Sequence, residues 1–148
     1  MRLSEHFTLE ELSFSEIAVR SGIDNCPGDE QISNLKRVAD LMEAIRALLR
    51  SSPILVHSGY RSPAVNRSVG GVASSAHCLG LACDFTCPSI GEPNVVAEKI
   101  FESDIQYDQL ILEYGWVHVS LSPEGGQPRC ESLTKSSYRA IYQRGIRS

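Results

Sequence analysis

From Asp29 to Arg50, apolar residues recur at intervals of three and four, through Ile32, Leu35, Val38, Ala39, Met42, Ile45, Leu48 and Leu49, with charged residues between them. That period is one face of an amphipathic α-helix, about 33 Å long at roughly 1.5 Å per residue, and it predicts a core helix without chemistry of its own. A second helical pattern spans Glu92 to Glu102, where Val95, Val96, Ile100 and Phe101 follow a Pro93 suited to a first turn. Near the start, Thr8-Leu9-Glu10-Glu11 has the form of a capping box. A short helix should begin there and, with a break near Ser13 or Ser15, run to Ser21-Gly22, where glycine permits a left-handed exit. Asp24 to Gly28 reads as a turn.

The strand signals come later. Ile54 to His57 after Pro53, Leu81 to Thr86, Tyr107 to Glu113 and Trp116 to Leu121 are short β-rich runs, the last two joined by a turn at Tyr114-Gly115. Asn66 to Ser75, with Gly70-Gly71, reads as a surface loop. From Ser122 to Tyr138 the chain is rich in Pro, Gly and Ser and carries no predicted element. There is no repeat, linker or second hydrophobic pattern, so residues 1–148 are expected to form one α+β domain and to act as a monomer.

Fourteen basic and eighteen acidic residues leave a net charge of −4 without a dense Lys/Arg stripe, which argues against a nucleic-acid partner. Lys135, Arg139, Arg144 and Arg147 near the end read as a solvated surface. No apolar run follows the N-terminus as a secretory signal requires, and none approaches the roughly 18 residues of a membrane span, so no membrane partner is expected and the chain should be cytoplasmic as synthesised. Five cysteines, an odd number, point to reduced thiols. Cys78, Cys83 and Cys87 fit no tight zinc knuckle, and Cys83, beside Asp84 on a strand, should face the opposite way.

The chemistry concentrates in two short segments, Ser75-Ala76-His77-Cys78-Leu79-Gly80-Leu81-Ala82-Cys83-Asp84 and Trp116-Val117-His118-Val119-Ser120. Two imidazoles and a carboxylate suit a catalytic zinc site, which takes three protein ligands and keeps a fourth position for water, whose pKa falls from about 15.7 to about 7. His77, Asp84 and His118 would bring one negative charge to one Zn²⁺ ion, leaving it strongly Lewis-acidic. If the strands carrying Asp84 and His118 are antiparallel neighbours, the two side chains stand side by side. His6 and His57 lack such context and read as structural.

Ser75-x-His77-x-x-Gly80-x-Ala82-x-Asp84 with Trp116-x-His118-x-Ser120 resembles the zinc D-Ala-D-Ala carboxypeptidases and the related phage L-alanyl-D-glutamate endopeptidases, endolysin-like enzymes, in their small phage and prophage branch. Ser58-Gly59-Tyr60-Arg61-Ser62 is similar to the family's arginine motif, and His6 to Leu12 to its N-terminal segment. The resemblance covers about residue 4 to about residue 121, with 122–148 poorly matched. It implies the α+β fold shared with the hedgehog signalling domain, a small antiparallel sheet with helices packed on one side. It also implies hydrolysis of a peptide bond in the peptidoglycan stem peptide, in phage lysis or cell-wall remodelling. Under the resemblance His77, Asp84 and His118 are the zinc ligands. Arg61 is both a catalytic and a substrate-binding residue, facing a substrate carboxylate or the carbonyl oxygen that becomes negative. Ser75, Tyr60 and Trp116 are candidates for contact with substrate. The family's acid or histidine three positions before the last ligand falls on Gly115, which cannot take a proton. Glu113 is the nearest acid and the candidate general base, with Asp108 behind it. The missing acid leaves an alternative open: a non-catalytic zinc module that binds cell wall or a protein partner.

Overall fold

The computed structural model describes residues 1–147. Thr8 closes the expected capping box over α1 (Leu9–Ser13), its Oγ1 accepting from the Glu11 N–H at 3.1 Å while a Glu11 carboxylate oxygen accepts from the Thr8 N–H at 3.4 Å. Phe14 is extended and Ser15 caps a new helix, α2 (Glu16–Ser21), which Gly22 ends in the left-handed region at φ +66°. The predicted break is real: Ser15 gives the backbone N–H of Ala18 an acceptor that a continuous helix would not need.

Helix α3 (Asp29–Leu48) buries Leu35, Val38, Ala39, Leu41, Met42 and Ile45. After strand β1 (Leu55–Ser58), the chain forms α4 (Pro63–Ser68), strand β2 (Ala82–Thr86), α5 (Pro93–Phe101), and strands β3 (Gln109–Leu112) and β4 (Val117–Ser120). Helix α4 corrects the loop expected from Asn66: Ser62 caps it by accepting from the Val65 N–H, and Pro63 sits in its first turn, a Ser-Pro start outweighed in the sequence by Gly70-Gly71 downstream.

The sheet has six strands in the order β1-β2-β4-β3-β5-β6, where β5 is Glu131–Thr134 and β6 is Gln143–Arg144. It is mixed and not purely antiparallel, because β5 runs parallel to β3. Strand β4 already has β2 and β3 on its two sides, so the returning chain joins the free edge of β3. It begins at the end of the sheet where β4 stopped, Gln109 pairing with both Ser120 and Glu131, and a reversal that skips one strand is necessarily parallel to it. The Pro- and Gly-rich tail therefore supplies two strands.

Strand alternation gives the sheet two unlike faces. Cys83, Phe85, Leu110, Leu112, Val117 and Val119 point to the side covered by α3 and α5, where they join Leu35, Met42, Val96 and Ile100 in one core. The opposite face, with Asp84, His118, Ile111 and Glu113, lines an open cleft. Cys83 and Cys87 are buried thiols, Cys78 is half-buried, and Cys26 and Cys130 are exposed; all five are free. No helix of the described residues is long and apolar enough to cross a membrane.

Candidate metal centre

Asp84 and His118 are direct cross-strand partners in β2 and β4, so their side chains share a face; the His118 Nδ1 to Asp84 Oδ1 distance is 2.8 Å. His77 arrives from a 3₁₀ turn, Ala76–Leu79, capped by Ser75, whose hydroxyl accepts from the His77 N–H at 3.2 Å. Gly80 ends that turn at φ +73°, where a Cβ would come within 2.7 Å of the Gln31 carbonyl oxygen of α3. Glycine is thus required both for the left-handed turn and for the close approach that aims His77 at the sheet.

His77 is held from behind. Its Nδ1 lies 2.7 Å from the Gly59 carbonyl oxygen, which can only accept, so Nδ1 carries the proton and Nε2 a lone pair. That lone pair faces Asp84 Oδ1 at 3.2 Å. Burial pushes the His77 pKa below its ordinary value, favouring the neutral ring, even though Asp84 pulls the other way. In their protonated forms the two imidazoles hold the Asp84 carboxyl well below the usual carboxylate range despite its burial, so Asp84 is ionised when the His77 ring is neutral. A neutral nitrogen lone pair and a carboxylate oxygen in contact are two acceptors without a donor, and a cation between them resolves the conflict. One donor atom from each of His77, Asp84 and His118 lies within 4.8 Å of the others, so the set fits a single metal ion, with the backbone carbonyl of Gly59 orienting its first imidazole.

Arg61 completes the inner wall. Its backbone N–H donates to the His77 carbonyl at 3.1 Å, Nη2 stands 4.0 Å from Asp84 Oδ2, and Nη1 donates to Asn66 Oδ1 at 3.2 Å. The arginine and histidine motifs are thereby one physical unit. Asn66, buried on α4, and Asn25, whose side chain bonds the backbone of Ser13, Tyr60 and Ser62, brace that unit. Neither was singled out from the sequence, since their roles exist only once α4 and the turn before α3 fold against the arginine segment.

The sequence profile of the peptidase M15 family matches residues 5–120. The chain belongs to the peptidase M15 family. No curated protein matches it. M15 peptidases depend on zinc, the ion type for which two imidazoles and one carboxylate are suited.

Around His77, Asp84 and His118 this M15 chain shapes a cleft of about 510 Å³ that also contains Arg61, Ser75, Glu113 and Trp116. Glu113 lies on the cleft face of the sheet, two residues beyond Ile111, its N–H donating to the Trp116 carbonyl across the bend that joins β3 to β4. Burial raises its carboxyl pKa, as does Asp84, while His118 and Lys135 oppose the rise. Gly115 is exposed, and a Cβ there would meet nothing within 4 Å.

Two expectations fail. Tyr60 does not reach the cleft; it is 6% exposed and packs in the core, on a segment whose Tyr60 N–H bonds the Leu12 carbonyl at 2.8 Å. Asp108 lies in the cleft but is no free base: Arg129 grips both its carboxylate oxygens, at 3.0 and 2.7 Å, and lowers its pKa. A third change concerns the tail. Arg129, Lys135 and Tyr142 all lie beyond the matched region, yet they line the cleft, so Lys135 is no mere part of a solvated surface.

Proposed function

We propose that the protein is a zinc-dependent peptidoglycan hydrolase that cuts a peptide bond in the stem peptide, as a D-Ala-D-Ala carboxypeptidase or an L-Ala-D-Glu endopeptidase. The observation that carries this reading is the opposed pair of acceptors, His77 Nε2 and Asp84 Oδ1, with His118 beside them and the Glu113 carboxylate in the same cleft.

His77, Asp84 and His118 hold one zinc ion. When bound, the ion supplies Lewis acidity toward the scissile carbonyl and toward water. Glu113 takes a proton from the attacking water on a carboxylate oxygen and returns it to the leaving amine nitrogen. Its burial suits it to both tasks, since a raised pKa narrows the gap between accepting and releasing the proton. Arg61, beside Asp84 and braced by Asn66, offers a fixed positive charge to a substrate carboxylate or to the carbonyl oxygen as it becomes negative. Ser75 spends its acceptor on His77 and keeps its hydroxyl proton for substrate. Trp116 forms an aromatic wall. A hedgehog-like fold and a role in phage or prophage lysis extend the same reading, supported by the motif resemblance.

The test incubates zinc-loaded protein with muropeptides of several stem types and follows products by mass spectrometry, alongside Glu113→Ala and His118→Ala. Cleavage by the parent protein and its loss in both variants are expected. No cleavage by metal-bound parent protein would instead favour a binding module of the same fold, the reading that Gly115 invites. Full activity in Glu113→Ala with loss in His118→Ala would remove only the base assignment.

A further inference from the structure

The strand order puts two cations on opposite sides of the metal ligands. Arg61 lies on the loop leaving β1, beyond β2, whereas Lys135 follows β5, beyond β3. Lys135 is fixed at the cleft because its backbone N–H donates to the Leu112 carbonyl at 2.8 Å, continuing the parallel β3–β5 ladder next to Glu113. Its ammonium stands 4.8 Å from the Tyr142 ring centroid and 6.0 Å from that of Tyr138. Among the described residues it pairs with no carboxylate, so the rings hold the charge while its N–H donors stay unspent.

The charges of the cleft point the same way. Arg129 and Asp108 neutralise one another, and Asp84 faces the histidines. Arg61 stands 4.0 Å from Asp84 and Lys135 is left with Glu113, so the ionised side chains of the lining balance, and a divalent ion held by His77, Asp84 and His118 would make the cleft net positive in a protein whose net charge is −4. Such a cleft concentrates anionic ligands. Strands β4 and β5 are separated by β3, two steps of about 4.8 Å, so Lys135 lies roughly 10 Å from the strand of His118. An extended peptide covers that span in about three residues.

We infer that Lys135 is a specificity-determining residue: it takes a carboxylate carried two to three residues from the scissile bond, so the cleft selects acidic peptides. This rests on the peptidase reading and deepens it. The C-terminal strands, outside the family match, would thus build a substrate subsite as well as an edge for the sheet.

The test compares a synthetic stem pentapeptide with analogues in which each free carboxylate in turn is a carboxamide, using the zinc-loaded parent protein, Lys135→Met and Lys135→Arg. Hydrolysis gives kcat/KM, and stopped-flow fluorescence of Trp116, the chain's single tryptophan and part of the cleft wall, gives affinity before turnover. One carboxamide should cost the parent protein about tenfold in both. That acid-to-amide ratio should fall to about one in Lys135→Met and survive in Lys135→Arg. Discrimination unchanged in Lys135→Met, or no carboxylate that matters to the parent protein, overturns the assignment. If no peptide is cut but the fluorescence ratio behaves as expected, the peptidase reading fails while Lys135 stands as a carboxylate site.

Discussion

Gly59→Ala should weaken the fold and the metal site together. A Cβ at position 59 would overlap the Leu12 carbonyl oxygen and lie 2.8 Å from the Leu12 carbonyl carbon, so the arginine segment and the end of α1 must part by roughly 1 Å to regain van der Waals contact. That shift costs about 1–3 kcal/mol as overpacking. It also stretches the 2.8 Å bond from the Tyr60 N–H to the Leu12 carbonyl, for about 1 kcal/mol more. A loss of about 2–4 kcal/mol corresponds to a melting midpoint lower by roughly 5–15 °C in a chain of this size. The same movement carries away the Gly59 carbonyl that orients His77, and loss of such a partner weakens metal binding roughly 10- to 100-fold. Calorimetric melting and competitive zinc titration measure the two effects. Gly115→Ala is the control: its Cβ meets open space, and it should change stability by no more than about 0.5 kcal/mol. Gly59→Ala melting within a degree of the parent protein, with equal zinc affinity, would refute the close approach and the linkage of the two motifs.

Glu113→Gln should lower kcat/KM by about 10²–10⁴, the range for a lost general base, and yet raise the melting midpoint of metal-free protein at neutral pH. The sign follows from burial: a folded-state pKa above the unfolded value makes the contribution of Glu113 fully favourable below the unfolded pKa and erodes it as pH rises through the folded one. Melting from pH 4 to 8 should show the two proteins converging in acid; a variant less stable than the parent protein at pH 7 would contradict the burial. Asp108→Asn should destabilise by about 1 kcal/mol, a charged hydrogen-bond loss discounted because Arg129 is 58% exposed. Because Arg129 depresses the Asp108 pKa, that contribution is present above the unfolded carboxylate pKa and disappears as pH falls through the folded one, which urea titrations between pH 2 and 7 would follow.

What the sequence determined by itself was local. The period of α3, the Thr8 cap, the Pro93 start of α5 and the Gly22 exit each depend on a few neighbouring residues, and each appears where those residues stand. The alternation of β2 likewise separated Asp84 on the cleft face from Cys83 in the core. Even the joining of His77 to Asp84 was legible, because seven positions containing Gly80 allow one tight reversal.

Tertiary structure decided the rest. The tail pairs with β3 because both sides of β4 were already occupied, a competition for edges that no property of residues 131–134 announces. That choice moved Lys135 from an apparently solvated surface into the cleft and gave Asp108 its arginine. The burial of Tyr60 was likewise out of reach of local reasoning, since the core it joins and the Leu12 carbonyl that accepts from its N–H come from segments far along the chain, Leu12 lying 48 positions earlier. Periodicity reports which face of an element is apolar; which element covers that face, and which polar groups meet across a cleft, depends on the packing of the whole chain.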